Sequence, residues 1–189
     1  MLEPVLGYNF NMKYFDELKR SMEYLSENEK TIFLGQAVSV AGTAMSNTLK
    51  DIKKDKLLEL PVFEEMQMGV SIGMALNNKI PISIFPRWNF LLLAMNQLIN
   101  HLDKIPKISN YGFLPKVIIR TGVGSERPLH PQFQHVGDFT EQVRNMLTNI
   151  EIVKLENAED IFPAYKKALI RDDNKPTILV EISDYYNEK

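Results

Sequence analysis

The 189-residue chain carries 22 Lys and Arg against 24 Asp and Glu, a formal net charge of -2, and no cysteine. A balance this even argues against electrostatic capture of nucleic acid or an anionic membrane surface, and without thiols there is no disulfide, thiolate metal site or cysteine nucleophile. No stretch approaches the roughly 18 apolar residues of a membrane span and the N-terminus lacks a basic-then-apolar secretion signal, so a soluble, cytoplasmic chain with a single domain over residues 1–189 is expected.

Phe15, Leu18, Met22 and Leu25 step at helical spacing ahead of the first of six short apolar or β-branched runs, "TIFL" from residue 31. The others are "KLLEL" from 56, "IPISIF" from 80, "PKVIIR" from 115, "IEIVKL" from 150 and "PTILVEI" from 176. Two further helical patterns lie between them, at Leu92, Met95 and Leu98 to Ile99, and at Ile161, Tyr165 and Ala168 to Leu169. Alternation of this kind predicts an α/β domain of three layers, a mostly parallel sheet of about six strands between helices. Asp138 before "FTEQVRNML" and Asn157 before "AEDIFPAYKKAL" read as N-caps, the latter with Asp160 at the capping-box position. The connection "TGVGSERPLHPQFQHVG", residues 121–137, is long for a compact domain and holds His130 and His135; long connections are commonly functional.

The stretch "LPVFEEMQMGVSIGMALNN", residues 60–78, opens a helix on two adjacent carboxylates. Neighbours on a helix point about 100° apart, so at most one of Glu64 and Glu65 is an ordinary surface acid. Both also suit the positive end of the helix dipole. Gly69 and Gly73, four apart, would let another backbone approach one helical face. "RTGVG" lacks the spacing of a dinucleotide or Walker loop. His130 and His135 have no acid–histidine metal pattern, so no metal site is expected. The turn "FPRWNF", residues 85–90, is either a core plug or a stacking surface for a planar ligand.

Taken together these motifs resemble the pyrimidine-binding domain of thiamine diphosphate enzymes of the transketolase group, most closely the beta subunit of 2-oxo acid dehydrogenases of the pyruvate dehydrogenase type. Glu64 follows "PVF" and stands nine residues before Gly73, as the family's catalytic glutamate does before its helix glycine. Phe90, preceded by Asn89, lies 26 residues beyond Glu64, where the beta subunits carry the aromatic that packs on the cofactor pyrimidine. "QHVGDF" resembles the family's histidine loop, which makes His135 rather than His130 the matching histidine, and "NIEIVKLENAED" keeps the family spacing to the next strand and helix. The resemblance runs from "TIFLG" to "PTILVEI".

It implies the transketolase-type fold, thiamine diphosphate with Mg2+ as cofactors, and chemistry on a 2-oxo acid or ketose by decarboxylation or two-carbon transfer, as oxidoreductase or transferase. Glu64 would act on the cofactor pyrimidine from a semi-buried setting near Met66, Met68 and Phe90. His135 would meet the substrate carbonyl, Phe90 would stack, and Trp88 and Gln36 would lie beside the cofactor, with Glu65 a solvated or interface neighbour. Gln36 stands where the beta subunits carry an acid after "LG", and the proline and arginine of "FPRWNF" also depart from the family. No "GDG" with a downstream asparagine occurs and the sequence ends at residue 189, so the diphosphate-binding and C-terminal transketolase domains are both expected to be absent from it. An alpha-type partner subunit that holds the magnesium and a homo- or hetero-oligomer follow as expectations. The rival expectation is a non-catalytic interaction or regulatory subunit that kept the fold.

Overall fold

The structure is a computed structural model that describes residues 12–40, 43–124 and 131–187. Chain order begins with α1 (Tyr14–Ser26), β1 (Thr31–Gly35), α2 (Ala44–Asn47), β2 (Leu57–Glu59), α3 (Glu64–Leu76) and β3 (Ile80–Ile84). It continues with α4 (Trp88–Leu91), whose helical path runs on through a 3-10 turn (Leu92–Ala94) into a π-helical segment (Asn96–Leu102), then α5 (Ile105–Ile108), β4 (Ile118–Val123), α6 (Thr140–Met146), β5 (Glu151–Leu155), α7 (Ala158–Ile170) and β6 (Thr177–Ile182). A 3-10 turn (Ser183–Asn187) follows β6.

The six strands form one sheet in the order β2-β1-β3-β4-β6-β5, and every pairing is parallel. Right-handed crossovers then decide which face each helix covers. Connections that step toward β2 or back from β5 to β6 lie on one face, where α1, α2 and α7 bury Tyr14, Leu18, Met22, Met45, Ile161 and Tyr165 against Phe33, Ile82 and Leu179. Connections that step the other way put α3, α4 with its continuation, and α6 on the opposite face, with Met68, Trp88, Leu91, Leu98 and Val143 packed on Ile119, Ile152 and Val180. The three expected layers and six strands are present. β4 starts three residues later than its apolar run, at Ile118, because Pro115 to Val117 lead into the sheet before the pairing with β3 and β6 begins.

Both capping expectations change in detail. Asn157 does occupy the N-cap of α7, but its side chain caps no backbone amide; its amide donates to the Asp160 carboxylate at 3.0 Å. Asp138 lies one residue before the N-cap of α6, and its Oδ1 accepts from the Thr140 N–H at 3.0 Å. Among the described residues no helix is long and apolar enough to cross a membrane.

Candidate active site

Strand order reverses around β1, since the chain moves outward to β2 and then crosses β1 to form β3. Ligands of open parallel sheets bind outside the carboxyl ends of the strands at such a reversal. Here Gly35 pairs with Ile84, so Gln36, which follows β1, and Phe85 to Phe90, which follow β3, emerge side by side. Gly35 has φ +152°, and a Cβ there would meet the Ile84 carbonyl oxygen at 2.5 Å. Only glycine allows the two strand ends to approach this closely.

The amino end of α3 arrives at the same edge. Gln67, one turn along it, is buried and donates to the Ile84 carbonyl at 2.9 Å and to Ser83 Oγ at 3.1 Å, which ties the helix to β3. Glu64, the first residue of α3, is 4% exposed. Its Oε1 accepts from the Gln36 side-chain amide at 3.1 Å. Glu65 points elsewhere, half-buried, and accepts from Asn96 Nδ2 at 3.1 Å and Gln97 Nε2 at 3.4 Å. The two acids therefore divide as helical geometry requires, and Glu65, rather than being free in solvent, fastens α3 to the helix beyond Phe90.

The turn after β3 divides as well. Phe85 and Trp88 are a core plug: Trp88 is fully buried among Met68, Leu91 and Leu98. Helix α4 turns the Trp88 indole inward, with no exposed surface and with its Nε1 lacking a hydrogen-bond partner among the described residues. Met68 also belongs to that core. Phe90 is half-buried, and its ring stacks with the His135 imidazole at 5.0 Å between centroids and 28° between planes. His135 has φ +63°, in the left-handed region, and Arg87 Nη1 donates to its carbonyl at 2.9 Å. Four buried atoms in this region, Gln67 Oε1, Trp88 Nε1, Asn89 Oδ1 and His135 Nδ1, have no hydrogen-bond partner among the described residues. His130 lies outside the described residues.

The loop after Gln36 is braced from β2. The Glu59 carboxylate accepts the backbone N–H groups of Ala37 (2.6 Å), Val38 (2.9 Å) and Ser39 (2.8 Å), with Ala37 at φ +53°. Burial acts to raise the pKa of Glu59, but these bonds outweigh it and hold the group below the usual carboxylate range.

The glycines of α3 do less within this chain than their spacing suggests. A Cβ at Gly69 would make ordinary contact with Gln97, and one at Gly73 would meet nothing. Exposed apolar side chains flank the crevice instead: Val62, Phe63 and Phe133, the last fully exposed.

Comparison with known proteins identifies the family. The family model "Transketolase, pyrimidine binding domain" matches residues 18–187. The chain belongs to this family. The pyruvate dehydrogenase E1 component subunit beta of Gracilaria tenuistipitata var. liui is 29% identical over 180 residues, covering 93% of this chain and 54% of that protein. The 2-oxoisovalerate dehydrogenase subunit beta of Bacillus subtilis is 24% identical over 176 residues, covering 90% and 52%. Among solved structures, a split-gene transketolase, described as an inactive beta4 tetramer, superposes with a TM-score of 0.67 at 16% identity, covering 89% of this chain and 50% of that one. The chain thus spans about half the length of the curated relatives it matches.

Within the family frame, the structure brings together Gln36 with Glu64 and Phe90 with His135 at one end of the sheet, and sets Trp88 behind them. Reading the sequence alone missed Gln67, Glu59 and Arg87. Gln67 had a usable signal, one helical turn after Glu64 on the same side; Glu59 and Arg87 act on backbone groups 20 or more residues away, which no local pattern announces.

Proposed function

We propose that this chain supplies the pyrimidine side of a thiamine diphosphate site in an enzyme that decarboxylates a 2-oxo acid or transfers a two-carbon unit from a ketose, completed by an alpha-type, diphosphate-binding partner. The observation that carries the reading is Glu64, a carboxylate buried at the strand-order reversal, with one oxygen held by Gln36 and the other left for a ligand. The neighbouring residues fit the group: a half-buried aromatic ring, a buried amide oxygen on Asn89 and a buried imidazole nitrogen on His135, both unpartnered among the described residues, suit a flat heteroaromatic with ring nitrogens and an amino group.

When bound, the cofactor supplies a carbanion-stabilising centre, and the protein contributes orientation and proton handling. Gln36 fixes the Glu64 rotamer, so that Oε2 presents a proton, or a lone pair, at a constant position. Phe90 offers a face on which the pyrimidine ring would lie. His135, through its unpartnered Nδ1, can donate to or accept from an oxygen of the substrate. Burial of Glu64 keeps water from competing for its carboxylate. Among the described residues no cluster could hold a metal ion; magnesium and the diphosphate are assigned to the partner chain. The exposed Val62, Phe63 and Phe133 beside the crevice suit coverage by that partner, whether in a homo- or hetero-oligomer. A cytoplasmic setting is proposed with it, in keeping with a sequence that carries no cysteine.

The rival reading, a subunit that kept the fold and lost the chemistry, is favoured by one observation: Gln36 replaces an acid expected from the family resemblance and occupies Glu64. Reconstitution decides between them. Purified with a protein bearing a "GDG" motif and a following asparagine, the complex should bind thiamine diphosphate only with magnesium present, and Glu64→Gln should lower turnover by about 10²–10⁴ while Glu65→Gln leaves it nearly unchanged. A complex that assembles yet binds no cofactor would establish the rival.

A further inference from the structure

Arg87 is a residue with an unusual assignment. It follows β3, and its backbone carbonyl receives the first N–H groups of α4, those of Phe90 and Leu91. Its side chain is half-buried, and burial lowers its pKa while the Asp184 carboxylate opposes that effect. Among the described residues its one hydrogen bond runs from Nη1, at 2.9 Å, to the carbonyl of His135, 48 residues further along the chain, with the Asp184 carboxylate close enough to favour the charge. Placing a charged group in a half-buried position to hold one carbonyl is costly unless that carbonyl must be held. His135 is such a case, since a left-handed conformation such as its φ +63° costs a non-glycine residue about 1–2 kcal/mol.

We propose that Arg87 is the positioning residue for His135: it fastens the histidine backbone to the very turn that carries Phe90, so that imidazole and aromatic ring are presented as one stacked unit. The inference rests on the functional reading above, in which these two rings face cofactor and substrate. Geometry makes the coupling direct. Arg87 and Phe90 lie on one helical turn, joined by the Arg87 O to Phe90 N–H bond at 3.1 Å, so the guanidinium fixes the histidine relative to Phe90 and to little else. A lysine can reach one carbonyl but lacks the planar fork, and methionine cannot donate at all.

The test uses the cofactor-free chain and the ring-current shift of the His135 carbon-bound protons, identified by their loss in His135→Gln. At a pH about two units above the ordinary imidazole range, these signals should lie upfield of those of the exposed His101, and Phe90→Leu should abolish the displacement. Arg87→Met should do the same with Phe90 intact and the methyl spectrum of the core unchanged; Arg87→Lys should give an intermediate shift, and carries the test should Arg87→Met fail to fold. His135 signals that stay at their wild-type positions in either Arg87 variant, or that show no upfield displacement in the wild type, would overturn the proposal. Because the readout needs no cofactor, it stands or falls apart from the Glu64 and Glu65 comparison that tests the functional reading.

Discussion

Near the carboxyl end of β6, Glu181 is fully enclosed: Arg120 Nε and Nη2 donate to its two oxygens at 2.6 and 2.9 Å, and the hydroxyls of Tyr165 and Tyr186 donate to the same carboxylate. Arg120 spends a further N–H on Thr48 Oγ1 at 3.1 Å, and Tyr14 links the carbonyl of Leu155 to the N–H of Ile182. Beside the carboxyl end of β1, three strands along the sheet, Glu64 is 4% exposed against 0% for Glu181, yet receives one amide donor. The same acid thus occurs twice on one edge of one sheet, once with its hydrogen-bonding capacity filled and once with capacity spare. A filled buried network rigidifies and specifies the fold, whereas a part-filled one lowers stability unless a ligand completes it. Ala37, at φ +53°, lies in the loop next to Gln36, and His135, at φ +63°, stacks on Phe90.

The network also explains its own protonation. Burial first, and the Glu181 charge second, push the Tyr165 and Tyr186 hydroxyls well above their ordinary value. Burial disfavours the Arg120 charge, but the attraction of Glu181 exceeds it and the net direction is upward. The phenols therefore remain donors across the physiological range.

An identical substitution at the two acids gives the widest separation. Glu181→Gln leaves the Arg120 guanidinium buried without its counter-charge and should cost about 3–5 kcal/mol of unfolding free energy. Glu64→Gln forfeits at most one ordinary hydrogen bond and should cost about 1 kcal/mol or less. Urea denaturation of the two variants measures both; equal losses would remove the distinction. Tyr186→Phe, which takes one donor from the filled site and keeps its bulk, should cost about 1–3 kcal/mol by the same assay.

Acid sharpens the comparison from the crevice side. Glu59 is held below the usual carboxylate range, so its contribution is present above the unfolded value and is lost as pH falls through the folded one, below about pH 4. Amide signals of Ala37, Val38 and Ser39 should therefore move together in that window. Asp103 behaves likewise: burial works to raise its pKa, while bonds from Lys104, Asn149 and Thr148 bring it down, so the junction of the π-helical segment with residues 148–149 loosens over the same range. Smaller still is Ala37→Gly. Glycine accepts φ +53° without the Cβ clash, and the gain, offset by a freer unfolded chain, should reach at most about 1 kcal/mol. A loss of more than about 1 kcal/mol, beyond the entropic cost of glycine, would show that the crevice loop is not strained.

How much of this could be read from the sequence depends on the range of the interaction. The six strands were legible because each is a short apolar run, and the two acids of α3 because helical geometry separates neighbours regardless of tertiary context. Trp88 and Phe90 were not separable, since both are large, flat and two residues apart; which one turns inward is decided by packing against Met68 and Leu98. The Arg120–Glu181 pair was hidden at the ends of two runs, "PKVIIR" and "PTILVEI", that read as plain core strands; only the adjacency of β4 and β6, separated by β5 in the chain, joins them. The bond from Gln36 to Glu64 joins a loop and a helix 28 residues apart. It turns an apparent departure from the family into a defined contact at the site.

The central claim is that Glu64 is the working carboxylate of this edge and Glu181 the structural one. Deuterium exchange at the thiazolium carbon of thiamine diphosphate, followed by NMR in the complex reconstituted with its diphosphate-binding partner, tests that claim without involving substrate. Exchange should be slowed by about 10²–10⁴ in Glu64→Gln and remain at the wild-type rate in Glu65→Gln. Equal exchange rates in the two variants, with cofactor bound in both, would contradict the account.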